Sequence, residues 1–132
     1  MFNLGTWTKS LNNLYKMKYF KIEEFTCDGV ICYDKMDARL LKMLDQAREI
    51  SNTPYKLTSS WRSKEKNDSL KNSSKNSSHL KGLAVDIACS NGLERLKIFT
   101  GLIKAGFTRI GVSDSFLHAD CDDSKIDSIW TY

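Results

Sequence analysis

Residues 83–88 read LAVDIA, an apolar run of strand length with one carboxylate, Asp86, set among Ala84, Val85, Ile87 and Ala88. Such a run is expected to form a buried strand, and an unpaired carboxylate taken out of water is costly. Whatever fold the chain adopts must therefore bring Asp86 a compensating group: a metal ion, an arginine, or several backbone donors.

The other elements follow from periodicity and chain breakers. From Asp34 to Ile50, the set Met36, Leu40, Leu44, Ala47 and Ile50 recurs at helical spacing. Leu41 and Met43 widen that face, and Asp34 is placed as its N-cap. Pro54 interrupts the chain, and YKLTSSW (55–61) reads as a strand. Residues 63–78, SKEKNDSLKNSSKNSS, are polar and non-periodic, so a loop is expected; loops of this length in a domain are usually functional or disordered. Asn91 followed by Glu94 resembles a capping box. It opens a helix carrying Leu93, Leu96, Ile98, Phe99, Leu102 and Ile103, running to about Ala105 and ended by Gly106. FTRIGV, SFLHADC and IDSIWTY read as strands, IEEFTC (22–27) as a short extended segment before a turn at DGVI, and residues 1–20 as an arm packed on the domain. With no internal repeat and no boundary, residues 1–132 are expected to form one α+β domain, a small, mainly antiparallel sheet with two main helices packed on it.

At 132 residues the chain is long enough to bury a core without staples. It has no stretch near the ~18–20 apolar residues of a membrane span, so no membrane partner is expected. Its first residues, MFNLGTWTKSLNNLYKMKYF, lack a continuous apolar segment and a small-residue cleavage site, so synthesis in a cytoplasm without a signal peptide is expected. The net charge of +4 comes with lysines spread along the chain. That spread, and the lack of aromatics clustered with the lysine-rich loop, argue against a nucleic-acid partner. The four cysteines, Cys27, Cys32, Cys89 and Cys121, include no CxxC pair, which argues against a ribbon-type structural zinc. Free thiols are the default without a secretory signal, although Cys27 and Cys32 flank a turn that a short bridge would also suit.

The chain has two histidines, and each lies near an aspartate. His79 precedes Asp86 by a six-residue gap in SSHLKGLAVDI, and His118 closes the strand-like IGVSDSFLHAD. A hydrolytic zinc needs three protein ligands and one open position, with nitrogen or oxygen donors at about 2.0–2.2 Å. Two histidines and one aspartate supply that set. Singly, each has a plain alternative: His79 as a solvated loop side chain, His118 as a hydrogen-bonded core histidine between Leu117 and Ala119, Asp86 as half of a structural ion pair. Jointly, a loop His, a strand Asp and a strand His suit convergence at one end of a sheet. Hydrolysis also asks for a proton acceptor and a cation or donor for developing charge. Asp120 shares its strand face with His118, because side chains alternate with period two. Asp114 has the same parity, with a bend between; both alternatively read as solvated strand-end acids. Arg62, after the strand at 55–61, reads either as a surface arginine or as a guanidinium placed to grip a carboxylate with two N–H groups.

On these residues a resemblance rests. TSSWRSKEKN, SSHLKGLAVDI, GFTRIGVSDSFLHAD and the closing IWTY together resemble the zinc D-Ala-D-Ala carboxypeptidases, a family that includes phage endolysins and peptidoglycan endopeptidases and shares its fold with the Hedgehog signalling domain. The similarity runs from about Ile22 to Tyr132. It implies Zn2+ held by His79, Asp86 and His118, and Arg62 as the cation at the substrate or transition state. Relatives often place an acid three residues before the last histidine; here that position is Ser115, which leaves Asp114, one residue away, and Asp120, of the His-x-Asp form seen in shorter phage-like members, as candidates for the base. The implied substrate is a peptidoglycan stem peptide, and a monomer is expected. The absence of a cell-wall-binding module or export signal suits a small phage-type enzyme acting on a host cell wall after release, with a cytoplasmic bacterial enzyme as the alternative setting. A non-catalytic zinc-binding module of the same fold is the alternative.

Overall fold

Five strands make the sheet on which the rest of the chain packs, in the order β3 (Leu57–Ser59), β4 (Ala84–Ala88), β6 (Phe116–Asp120), β5 (Arg109–Val112), β7 (Ser128–Thr131). The computed structural model describes residues 15–132. All pairs are antiparallel except β5 with β7, which is parallel. The sheet is therefore mainly antiparallel, and with its helices the fold is α+β. Thr26–Cys27 (β1) and Val30–Ile31 (β2) form a separate hairpin. Its turn is Asp28–Gly29, at φ 49 and φ 80, the left-handed pair that Asp-Gly supplies to two-residue hairpins. The turn expected across DGVI is thus only its first half, and IEEFTC begins with a 3-10 turn at Ile22–Glu24 rather than fully extended chain.

The first helix, α1 (Ala38–Ser51), buries Leu40, Leu41, Leu44 and Ala47 of the face read from the sequence, while Ile50, expected on that face at the helix end, is exposed. Burying each leucine contributes roughly 1.5–3 kcal/mol. Its N-cap is Asp37, whose side chain accepts from the Arg39 N–H at 2.8 Å, and not Asp34. Asp34 instead falls in a 3-10 turn at Tyr33–Lys35, and the extended Met36 separates that turn from the helix. The other main helix, α3 (Gly92–Lys104), begins as expected: Asn91 accepts from the Glu94 N–H at 2.8 Å. It buries Ile98 and Leu102, while Leu93 (63% exposed) and Leu96 (60% exposed) stay in water. The apolar face predicted for it was thus too wide. Gly101 lets α1 and α3 meet closely, since a Cβ there would lie 2.5 Å from the Ala47 carbonyl oxygen. Ile98 and Leu102 join Leu40, Leu41 and Leu44 with Val85, Ile87, Ile110, Leu117 and Ala119 in one core.

The loop expected at 63–78 holds for residues 70–77, but its first part forms a short helix, α2 (Lys64–Ser69), capped by Ser63, and a 3-10 turn at Ser78–Lys81 begins at its end. Of the N-terminal arm, residues 1–14 lie outside the described residues. From Tyr15 on it is fastened to α1 by the buried Asp45, which accepts from the Tyr15 hydroxyl at 2.9 Å and from the backbone N–H groups of Lys18 and Tyr19 at 2.6 and 3.1 Å. The four cysteines are free. Burial pushes the thiols of Cys32 and Cys89 up and that of Cys121 up to about 11, which keeps them protonated and unreactive. Among the described residues no helix is long and apolar enough to cross a membrane.

Candidate metal centre

Strand register sets most of the site. Asp86 on β4 pairs with Ser59 on β3 and with His118 on β6; His118 pairs with Gly111 on β5, and Gly111 with Trp130 on β7. Directly opposed residues share a face, so one row crosses all five strands: Ser59, Asp86, His118, Gly111, Trp130. The neighbouring row, with Val85, Ala119 and Ile110, points into the core. Asp86 therefore sits on the sheet face opposite the apolar core, and the burial that its apolar neighbours imply comes from what covers that face.

His79 arrives from above the sheet. The 3-10 turn that holds it starts at Ser77, whose side chain accepts from the His79 N–H at 3.3 Å, and ends at Gly82 with φ 70. A side chain at Gly82 would be doubly barred, by that left-handed backbone and by the Lys35 carbonyl oxygen 2.0 Å from where its Cβ would stand. His79 and His118 are 3% and 8% exposed, and their rings meet edge-on with centroids 5.2 Å apart.

Each imidazole has one nitrogen committed and one facing Asp86. The Nδ1 of His79 lies 2.8 Å from the Ser60 carbonyl oxygen, which can only accept, so in the neutral imidazole Nδ1 carries the proton and Nε2 is the nitrogen available to a metal. The Nε2 of His118 lies 2.6 Å from Asp120 Oδ2, so by the same argument its Nδ1 is the free nitrogen. These free nitrogens stand 3.4 Å (His79 Nε2) and 3.2 Å (His118 Nδ1) from Asp86 Oδ1, and the three ligand atoms lie within 4.8 Å of one another. Ligands at ~2.0–2.1 Å from a tetrahedral zinc are separated by about 3.3 Å. The donor set, and the two separations from Asp86 Oδ1, fit a tetrahedral metal with three protein ligands.

Charge is balanced around this centre. Burial alone would raise the Asp86 pKa, but His118 and His79 hold its carboxyl well below the usual carboxylate range. Burial alone would lower the pKa of His118, and the carboxylates of Asp120 and Asp86 outweigh it and raise it.

Arg62 is at the rim. Its backbone N–H donates to the His79 carbonyl oxygen at 3.1 Å; its Nη1 donates to Asn67 Oδ1 at 2.9 Å and its Nη2 to Ser59 Oγ at 3.2 Å, with Nη2 4.0 Å from Asp86 Oδ2. Asn67 is itself fixed by donating to the Ser74 carbonyl oxygen at 2.8 Å. The segment 63–78 thus serves to orient this arginine. An open cleft of ≈ 550 Å³ joins Arg62, the two histidines and Asp86 to Lys71 and Lys125, and to an aromatic wall of Phe116, Trp130 and Tyr132.

Asp120 and Asp114 fare differently. Asp120 is on the His118 face, as strand parity implies, and is 1% exposed. Its Oδ2 accepts from His118, and its Oδ1 from Arg109 Nε at 2.7 Å and from the Asp122 N–H at 3.1 Å. Both oxygens are engaged on the side of the imidazole away from Asp86. Asp114 is exposed in the turn between β5 and β6, its carbonyl oxygen accepting from Arg95 at 2.7 Å. It lines a different hollow, with Tyr55, Cys89 and Glu94, and not the histidine cleft. Among the described residues lining that cleft, Asp86 and Asp120 are the only carboxylates. Asn67, Arg109 and the Ser60 carbonyl were missed from the sequence; each is placed by register or loop conformation, which no local pattern announces.

A family model described as Peptidase M15 matches residues 18–122. No curated relative matches the chain.

Proposed function

The chain belongs to the peptidase M15 family and is a zinc metallopeptidase, and we propose that it hydrolyses a peptide bond in the stem peptides of bacterial peptidoglycan, with His79 Nε2, Asp86 Oδ1 and His118 Nδ1 as the zinc ligands. The observation that carries this reading is the trio of ligand atoms: His79 Nε2 and His118 Nδ1 stand 3.4 and 3.2 Å from Asp86 Oδ1, all three lie within 4.8 Å of one another, and the other nitrogen of each histidine is already engaged. Zinc there supplies an acidified water, with a pKa brought down toward about 7, and a Lewis acid for the scissile carbonyl.

The chain's own groups do the rest. Arg62, clamped by Asn67 and Ser59, offers its guanidinium to a substrate carboxylate or to the oxygen on which charge develops. Lys71 and Lys125 add positive charge to the cleft, while its two carboxylates are already committed to the histidines; this favours an anionic peptide such as one ending in a free carboxylate. The aromatic rings of Phe116 and Tyr132, with centroids 5.1 Å apart, offer the opposite wall for apolar side chains such as alanine methyls. Asp120, with both oxygens engaged, holds His118 in place and is not poised to shuttle a proton, and Asp114 is outside the cleft.

The test is turnover of D-Ala-D-Ala peptides and of purified sacculi, with and without chelator. About one zinc per chain, cleavage lost on chelation and its return with added zinc are expected. Undiminished cleavage after complete removal of metal overturns the assignment of the centre. A zinc-loaded protein that cleaves neither substrate overturns the choice of substrate.

A further inference from the structure

We propose that Arg109 is a positioning residue for the metal centre, orienting His118 through Asp120, and that Trp130 and Gly111 exist in their places to hold it there. The inference rests on the assignment of His118 as a ligand.

Arg109 on β5 is directly opposite Asp120 on β6. Its Nε donates to Asp120 Oδ1 at 2.7 Å and its Nη1 to the Ile126 carbonyl oxygen. The guanidinium lies over the Trp130 ring, 5.1 Å from its centroid, and the side chains of Arg109 and Asp120 are 13% and 1% exposed. The guanidinium is thus fixed by two hydrogen bonds and by its stack on an indole. Fixing Oδ1 leaves Asp120 one oxygen, Oδ2, for His118 Nε2 at 2.6 Å. With the Asp122 N–H also on Oδ1 at 3.1 Å, the plane of the carboxylate, and with it the direction of the imidazole, is set by Arg109 from β5 together with that backbone donor.

Trp130 is a shared wall. It touches Arg109 on one side and lies with its ring centroid 5.3 Å from that of His118. It can do so because its row neighbour is Gly111: a Cβ there would stand 2.6 Å from the indole Nε1 and 2.7 Å from Cε2. Gly111 has no positive φ to explain it, so the close approach of the indole is its structural use. Partners of metal-ligating histidines typically matter 10–100-fold in metal affinity; here the partner is itself held by a further residue, and the effect is passed on.

The experiment is a zinc-affinity cycle, read by competition with a chromogenic chelator on folded protein, using wild type, Arg109→Met, Asp120→Asn and the double variant. Arg109→Met is expected to weaken zinc about 10-fold in the wild-type background and under 2-fold in the Asp120→Asn background, because Arg109 acts only through that carboxylate. Arg109→Lys, which keeps the charge but offers no planar fork, is expected to recover part of the affinity. Wild-type affinity in folded Arg109→Met, or equal weakening in both backgrounds, overturns the proposal. Should Arg109→Met not fold, the same cycle with Arg109→Lys decides, equal effects in the two backgrounds again overturning it. A wild-type protein that binds no zinc overturns the metal centre itself, whereas zinc-binding wild type with an indifferent Arg109 removes only this inference.

Discussion

Ser78 Oγ donates to Asp122 Oδ2 at 2.7 Å, across 44 residues of sequence, and so ties the turn that carries His79 to the segment just after the strand that carries His118. Lys81 Nζ, at 3.1 Å from the same oxygen, the hydroxyl and N–H of Ser124, and Lys125 Nζ, at 3.0 Å from Ser78 Oγ and 3.9 Å from Asp122 Oδ2, join the cluster. Replacing Asp122 with Asn removes the charge that Lys81 and Lys125 face and weakens the bonds to it. A loss of about 1–3 kcal/mol is expected, seen as a Tm lowered by roughly 5–10 °C in a thermal melt.

The same cluster sets a pH dependence. Burial raises the Asp122 pKa, but the hydrogen bonds from Ser124, Ser78 and Lys81 prevail and hold it below the usual carboxylate range. A carboxyl with a depressed folded pKa contributes stability that is fully present above its unfolded value, about 3.9, and lost as pH falls below it. The Tm difference between wild type and Asp122→Asn is therefore expected to be constant from pH 7 to 5 and to shrink from pH 4 to 2. A difference that grows on acidification contradicts this account.

Arg62→Lys keeps a positive charge but cannot bond Asn67 and Ser59 at once while facing the cleft. Zinc content is expected to stay at the wild-type level and kcat to fall by ~10²-fold, the scale of losing one oriented donor at a developing charge. Wild-type kinetics in this variant return Arg62 to a structural role.

Gly111→Ala puts a methyl where the Trp130 ring now lies. The indole must move off β5, at a cost of about 1–3 kcal/mol for an overpacked contact. Altered tryptophan fluorescence together with weaker zinc binding is expected. A fluorescence spectrum and Tm equal to wild type would mean the indole does not rest on Gly111.

What was legible in the sequence was what depends on local period. The alternation that puts His118 and Asp120 on one face needs only β6 to be extended, and the buried face of α1 needs only helical spacing. The pairing of Asp86 with His118, 32 residues apart, depends on strand order and register, which turns and tertiary packing decide. The helix α2 was invisible because its stability owes nothing to an apolar stripe: Ser63 caps it, and its one buried side chain, Asn67, is polar. The N-cap of α1 was misplaced because Asp34 and Asp37 are both suitable acids, and only the 3-10 turn at Tyr33–Lys35 decides between them.

The two candidate bases, of which the sequence slightly favours Asp120, predict different outcomes. Asp114 is exposed and outside the cleft, so Asp114→Asn is expected to keep zinc and turnover within about 2-fold, as surface substitutions away from special contacts do. Asp120→Asn gives His118 Nε2 a weaker acceptor and takes from Arg109 its carboxylate. If Asp120 orients the ligand, zinc affinity falls ~10–100-fold, and turnover lost at limiting zinc returns when the metal is raised to saturation. A general base would behave otherwise: zinc would bind as in wild type, and kcat would fall 10²–10⁴-fold at any zinc concentration. Measuring zinc affinity, and kcat at saturating zinc, on this one variant separates the two roles. The geometry of both Asp120 oxygens, turned to His118, Arg109 and the Asp122 N–H, calls for the first result.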